Sequence, residues 1–315
     1  MLKRIKYIYV PGCKQKLIVK AGKQKAMHFA HYKKTCHLFS EGETQEHLQG
    51  KYQLYHWLKE IGLNSQIEAY MSNLKQRPDI ISSLQSGEKI VFEFQCAPIS
   101  TEKLISRSYG YANKKLKFFW ILGQRYRLKK KLTQQIAQFI RWTPNLGFYL
   151  IYLDVGHKRF EICYAIQQAD YVPIKYLKHY AYSLKELHHF LHIKHKPKYF
   201  PLTLIEIKQQ MANFRSRIFY NDPGLRNLRN KCYVRGLTLY EIPTDVFPQK
   251  YCPPIYRVPS FIWKMSVLLL KGESNLSYLE LASKELQKSR FYNMPFIKME
   301  YFFKLELRNF LATKE

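Results

Sequence analysis

The sequence predicts an α/β fold whose core runs helix, three strands, helix, strand, with a small β module before it and a mainly helical region after it. Three observations predict this. Two β-branched and aromatic runs, at 80–84 and 90–96, flank the polar turn Ser86-Gly87-Glu88-Lys89, a hairpin pattern. Helix-period stretches stand on either side, at about 40–60 and 100–113. The unbroken apolar run at 118–122, closed by Gly123, has the character of a fully buried strand.

Taken in order, residues 5–31 read as a β-ribbon with strands at 5–10, 16–20 and 25–31 and turns at Gly12 and Gly22. Its chemistry is Cys13, His28, His31 and Cys36, which could form a tetrahedral zinc site, although the spacing is irregular for zinc. Ser40 and Glu43 have capping-box spacing for a helix to about Glu60, with Leu48, Tyr52, Tyr55, Leu58 and Ile61 as its inward stripe. Glu46 and His47 lie beside that stripe, and Lys51 is one turn beyond His47. A strand follows at 66–70, then the hairpin, then the helix at 100–113, on which Arg107 and Tyr111 are one turn apart. The run from Arg125 to Lys131 is densely cationic, and further strands are predicted at 147–155 and 159–165.

Beyond about Asp170, short helical runs bounded by prolines dominate, at 184–192, 202–217, 260–270, 278–286 and 299–311. Ser277-Tyr278-Leu279-Glu280 is a second capping box. The last three runs could form a helix-turn-helix-like unit, though spacing alone does not establish one. His188, His189, His192 and His195 read better as a basic surface than as a metal site.

The hairpin carries the chemistry. Asp79 and Glu93 are 93 − 79 = 14 residues apart, one in each strand, and Gln95 shares the face of Glu93. Phe92 and Phe94 then turn to the opposite face, where Trp120 and Leu122 are expected to meet them. Two carboxylates held together repel unless a cation lies between them, and an all-oxygen donor set suits Mg²⁺ or Mn²⁺.

Arg77-Pro78-Asp79 followed by Glu93-Phe94-Gln95 resembles the PD-(D/E)xK nuclease motif in the variant with Gln for the final Lys. With Glu43-Thr44-Gln45-Glu46-His47-Leu48 and the continuation Cys96-Ala97-Pro98-Ile99-Ser100, the first half of the chain resembles the competence protein CoiA family. The resemblance implies a PD-(D/E)xK restriction-endonuclease-like core in the order αβββαβ and a zinc-ribbon-like module at the amino terminus. It implies that Asp79, Glu93 and the Phe94 carbonyl hold Mg²⁺ or Mn²⁺, with Gln95, Glu46 and His47 completing the catalytic set. In the ribbon, Val10 stands where the family pattern has a Cys, so zinc is expected to bind weakly or not at all. The implied domains are 1–38 (ribbon), 39–168 (nuclease-like) and 169–315 (mainly helical).

Composition fits such a role. The net charge is +29, from 52 Lys and Arg against 23 Asp and Glu, and the chain holds 25 Tyr and 20 Phe. Phosphates reward the cations and unpaired bases reward the aromatic faces, so DNA is the expected partner, single-stranded DNA first, with recombination proteins beside it. Lys51, Arg77, Arg107 and Lys114 are the expected DNA contacts. Affinity should fall steeply with salt. The opening residues lack the apolar core of a signal peptide, and Val267-Leu268-Leu269-Leu270 is too short to cross a bilayer. Six scattered cysteines suit reduced thiols in a cytoplasm. The expected function is a Mg²⁺- or Mn²⁺-dependent deoxyribonuclease of natural transformation. The alternative is a non-catalytic DNA-binding accessory protein of recombination on a nuclease scaffold.

Overall fold

A computed structural model describes residues 17–22, 25–31, 44–196, 198–271 and 276–312. Two strands come first, β1 (Leu17–Gly22) and β2 (Lys25–His31). Helix α1 (Gln45–Glu60) leads into β3 (Asn64–Ile67), β4 (Ile80–Ser83) and β5 (Lys89–Gln95). Helix α2 (Thr101–Asn113) and β6 (Lys117–Leu122) follow. Next are the short helix α3 (Gln134–Ala137) and the strands β7 (Arg141–Thr143), β8 (Gly147–Asp154), β9 (Arg159–Gln167) and β10 (Lys175–Ala181). The remainder is helical: α4 (Leu184–His192), α5 (Leu204–Phe219), α6 (Arg226–Tyr233), α7 (Phe261–Leu270), α8 (Tyr278–Gln287) and α9 (Met299–Leu311). The fold is mixed α/β, and the helix, three strands, helix, strand order from α1 to β6 is the predicted one.

The chain divides into two units. One comprises residues 1–98, 110–125 and 153–158, and the other 99–109, 126–152 and 159–315. In the first, β1 and β2 pair antiparallel with Leu17 across from His31, and the register shifts between Lys20 and Gly22. The predicted strand at 5–10, Cys13, Cys36, Ser40 and Glu43 lie outside the described residues, as do the side chains of His28 and His31.

The sheet order in the first unit is β6-β5-β4-β3, antiparallel except for β5 with β6. That parallel pair requires a crossover, and α2 supplies it. The hairpin closes through Gly87 at φ 81°, a left-handed conformation that glycine adopts without strain. Its register sets Ile80 opposite Phe92 and Ile81 opposite Val91. Phe92 lies across from Phe119 on β6 and Phe94 across from Ile121. The Phe92 and Phe119 rings stack at 5.7 Å. The expected meeting with Trp120 and Leu122 is therefore wrong. Parallel register assigns those two to Glu93 and Gln95, and even-numbered β5 residues keep company with odd-numbered β6 residues.

Helix α1 also differs from expectation. Its first residue is Gln45, with Thr44 as N-cap accepting the His47 N–H at 3.2 Å, so the start is four residues beyond Ser40. The buried residues of the helix are Gly50, Lys51, Leu54 and Leu58, while Tyr52 and Ile61 are exposed. Gly50 faces inward because the Phe94 ring occupies the place of a side chain. A Cβ there would come within 2.1 Å of a Phe94 ring carbon. On the other face of β5, Val91 joins Ile81 and Tyr111 in a separate cluster. β3 covers Asn64–Ile67 where 66–70 is predicted, because Glu68 takes φ 51° and turns the chain out of the extended path.

In the second unit β10, β9 and β8 are neighbours in that order, and β7 pairs with β8. Arg127, from the cationic run, pairs with the buried carboxylate of Glu161, to which Lys178 Nζ adds a contact at 2.8 Å. The helices at 184–192 and 299–311 have the predicted bounds, and Ser277 and Glu280 form the predicted capping box. α6 and β10 are additions to the predicted elements. Asp170, fully buried, accepts from Ser260 N at 2.7 Å and Phe261 N at 2.9 Å, which caps the apolar helix α7.

Candidate functional site

Arg77-Pro78 holds the approach to β4 extended, and Asp79 stands one step outside the strand. Its carbonyl accepts the Glu68 N–H at 2.9 Å. The β4–β5 register ends at Ile80 opposite Phe92, and Asp79 lies in the bend just before it. The Asp79 carboxylate accepts the Phe94 N–H at 2.7 Å through Oδ2, and His47 Nε2 lies 3.1 Å from the same oxygen. With both contacts on Oδ2, Oδ1 is left for another ligand. His47 is placed by two constraints. Its backbone N–H is fixed at the Thr44 cap, and its ring stacks on Phe94 at 6.0 Å with an interplanar angle of 9°.

Glu93 is buried and accepts a hydrogen bond from the Tyr111 hydroxyl near the end of α2. A carboxylate removed from water needs such partners, because desolvation otherwise drives it to the neutral acid. Glu46 accepts the Gln124 N–H at 2.8 Å. It also flanks Gly123, where a Cβ would meet Cys96 Sγ at 2.7 Å and Glu46 Oε1 at 2.9 Å. Burial raises the pKa of the Cys96 thiol, and the charges of Glu46 and Asp79 raise it further, so two acids act on one thiol at the end of β5. The Gln95 amide donates to Ala97 O at 2.6 Å.

The expected convergence is thus met in part. His47 and Asp79 touch, and Glu46 lies with Cys96 at Gly123. Glu93 turns instead to Tyr111, and Gln95 to its own chain. The reason is the alternation of β5: Phe94 packs against α1, so Glu93 leaves by the opposite face.

The basic residues are redistributed as well. Lys51, expected at a DNA surface, is 1% exposed and ion-paired with Glu68, so burial removes it from that surface. Arg77 Nη2 lies 2.5 Å from Glu68 Oε2, and its Nε donates to Glu68 O at 2.9 Å. Arg107 is half-buried and Lys114 exposed. Glu68 is therefore a partner of both cations that sequence reasoning misses. It falls inside a predicted strand, and no local pattern announces its left-handed backbone or its two cationic partners.

Among the described residues no group of three or more His, Cys, Asp or Glu could hold a metal ion. A divalent ion at Asp79 and Glu93 would depend on those two acids, a backbone carbonyl and water, a donor set Mg²⁺ accepts because it keeps several waters. The open Oδ1 of Asp79 fits that role. In the histidine-rich segment, His192 Nδ1 lies 2.8 Å from His188 O, and His195 Nε2 lies 2.8 Å from Phe190 O. Those rings have backbone partners.

Comparison with known proteins gives three results. The family model for the competence protein CoiA nuclease-like domain matches residues 43–197, and the model for the CoiA amino-terminal domain matches residues 2–39. Competence protein CoiA of Bacillus subtilis (strain 168) is 26% identical over 280 residues, covering 84% of this chain and 71% of that protein. No solved structure matches.

Proposed function

This chain belongs to the CoiA competence-protein family, and from that premise we propose that it is a metal-dependent deoxyribonuclease acting on DNA in natural transformation. The observation that supports the reading is the Asp79 carboxylate, held by His47 of α1 and by the Phe94 N–H beside Glu93, within the matched nuclease-like region. Asp79 and the Phe94 carbonyl would hold Mg²⁺ or Mn²⁺, and Glu93 would join them by releasing Tyr111. The ion when bound polarises a phosphodiester and lowers the pKa of its water. His47 and the Phe94 N–H orient the Asp79 carboxylate. Glu46 adds negative charge at Gly123 and Cys96. Gln95 can orient water but cannot carry the positive charge of the usual Lys, so charge neutralisation falls to other cations, with Arg77, Arg107 and Lys114 as DNA contacts.

The test is cleavage of labelled single-stranded and duplex DNA with Mg²⁺ or Mn²⁺, with Asp79→Ala as control. Cleavage that needs the metal and Asp79 supports the reading, and cleavage indifferent to Asp79 overturns it. One observation favours a second reading, a non-catalytic DNA-binding accessory of recombination. Gln95 is bonded back to Ala97 O, and the Glu93 carboxylate is engaged by Tyr111. On that reading Asp79→Ala leaves transformation intact while neutralising basic residues abolishes it. The amino-terminal domain holds zinc weakly or not at all on our reading, because Val10 replaces a family Cys, and metal analysis of the purified protein tests this. Among the described residues no helix is long and apolar enough to cross a membrane. The scattered cysteines are the ground on which we place the activity in the cytoplasm.

A further inference from the structure

One face of the second unit displays aromatic rings where burial would be the norm. Phe219 and Tyr220, at the end of α5, are each 77% exposed, and Tyr233, at the end of α6, is 81% exposed. Tyr240, in the 3₁₀ turn at 239–241, is 62% exposed. These positions surround one core. Phe214 of α5, Leu225, Leu228 and Cys232 around α6, and Leu239 of the turn share a single core. Arg229 bonds to Asn221, which ties α6 to the turn after α5. With Leu228 and Cys232 inward, helical period sends Arg226, Asn230 and Tyr233 outward, and all three are exposed. On α5, exposed Arg215 lies one turn before Phe219.

The charge of this face is one-sided. Residues 204–241 hold seven Lys and Arg against three acids, Glu206, Asp222 and Glu241. All three acids are already committed, Glu206 to Lys175 and the Thr203 cap, Asp222 to Arg217 and Gly224 N, and Glu241 to the Thr238 N–H and hydroxyl. Three of the cations are engaged as well, Arg217 by Asp222, Arg229 by Asn221 and Lys231 by Glu285, and Lys208, Arg215 and Arg226 remain exposed alongside the open ring faces. Cations answer phosphates, and rings answer bases only when those bases are unpaired, because a duplex keeps its base faces stacked inside. A protein partner would find a surface with almost no acids to satisfy and too many cations to desolvate.

We propose that the α5–α6 face binds single-stranded DNA, with Tyr220 and Tyr233 stacking on bases and Arg215 and Arg226 meeting phosphates. The inference rests on the reading that DNA is this protein's substrate class, but it does not depend on the Asp79 site. The test uses the full chain carrying Asp79→Asn to prevent cleavage, titrated onto labelled oligo-dT of about 20 nucleotides, longer than one such site. Tyr220→Ala with Tyr233→Ala should weaken binding about tenfold or more while leaving the slope of log K against log salt unchanged. Arg215→Ala with Arg226→Ala should flatten that slope by about 1.4, or about 0.7 for each lost phosphate contact. Unlabelled oligo-dT should displace the probe at lower concentration than duplex DNA or oligo-rU of equal length. Tyr220→Trp with Tyr233→Trp should keep affinity and show indole quenching when DNA is added, which separates stacking from a folding defect.

If the parent protein binds oligo-dT and the Tyr-to-Ala pair changes nothing, the surface assignment fails and the DNA reading stands. Duplex DNA or RNA competing better than oligo-dT, or unquenched indoles, also overturns the assignment. If the parent protein binds no DNA at low salt, the underlying reading fails with it.

Discussion

His47 Nε2 lies 3.1 Å from Asp79 Oδ2, the oxygen that also accepts the Phe94 N–H at 2.7 Å. A helix and a strand thus hold one carboxylate oxygen and leave the other open. A partner that orients a metal ligand in this way typically changes metal affinity or activity about 10–100-fold when removed. His47→Ala should therefore lower Mg²⁺-dependent DNA cleavage about 10–100-fold, with most of the loss recovered at high Mg²⁺. Steady-state cleavage across a metal titration checks it. Loss that no metal concentration relieves would assign His47 a different role.

The Tyr111 hydroxyl donates to Glu93 in a setting where both side chains are buried. Tyr111→Phe keeps the ring against Val91 and Ile81 but removes a donor from a buried carboxylate. The expected loss of stability is about 1–3 kcal/mol. Urea unfolding measures it, and an unchanged midpoint would mean that the hydroxyl contributes nothing.

Lys51 and Glu68 offer a comparison of two deletions in one pair. Lys51→Met replaces a buried ammonium with an apolar chain of similar length, and Glu68 keeps Arg77. Glu68→Gln instead leaves the buried ammonium without that carboxylate. Removing one partner of a buried pair is the more damaging change, about 3–5 kcal/mol, whereas hydrophobic replacement is often near neutral. Glu68→Gln should lower the urea midpoint more than Lys51→Met does. The reverse order would show that Lys51 is stabilised by something other than Glu68.

The hairpin was legible because its signals are local: β-branched runs, a turn needing Gly87, and a period of two that separates Glu93 from Phe94. The carboxy-terminal helices announced themselves through caps such as Ser277 with Glu280. What sequence could not supply was the choice between partners far apart in the chain. Ser40 and Thr44 both suit a cap, and the observed start at Thr44 sets the His47 N–H that leads to Asp79. Gly50 carries no hydrophobic signal, yet it is buried because the Phe94 ring comes from β5 to fill its place. Lys51 reads as a surface cation until Glu68, 17 residues away, takes a left-handed backbone and meets it. Which helix each face of β5 meets decides that Glu93 finds Tyr111 and not His47, and strand period alone is silent on that.

The last prediction concerns acid stability in the second unit. Burial acts to raise the pKa of Glu206, but bonds from Lys175, the Thr203 N–H, the Tyr251 hydroxyl and the Thr203 hydroxyl outweigh it and lower the value to about 2. Lys175 Nζ lies 2.7 Å from Oε1, and Tyr251 OH donates to the same oxygen at 3.0 Å. Because the folded value is below the ordinary value of 4.5, the ionised form favours the folded state. That stability is complete above about pH 4.5 and is lost as pH falls through about 2. Water reaches part of the pair, so Glu206→Gln should destabilise the protein at pH 7 by about 1–2 kcal/mol, less than the full linkage value. The gap between variant and parent should narrow below pH 4.5 and close near pH 2. Urea midpoints at pH 7, 4 and about 2.5 measure it. A gap that stays constant across that range would mean Glu206 stabilises by packing and hydrogen bonding that protonation leaves intact.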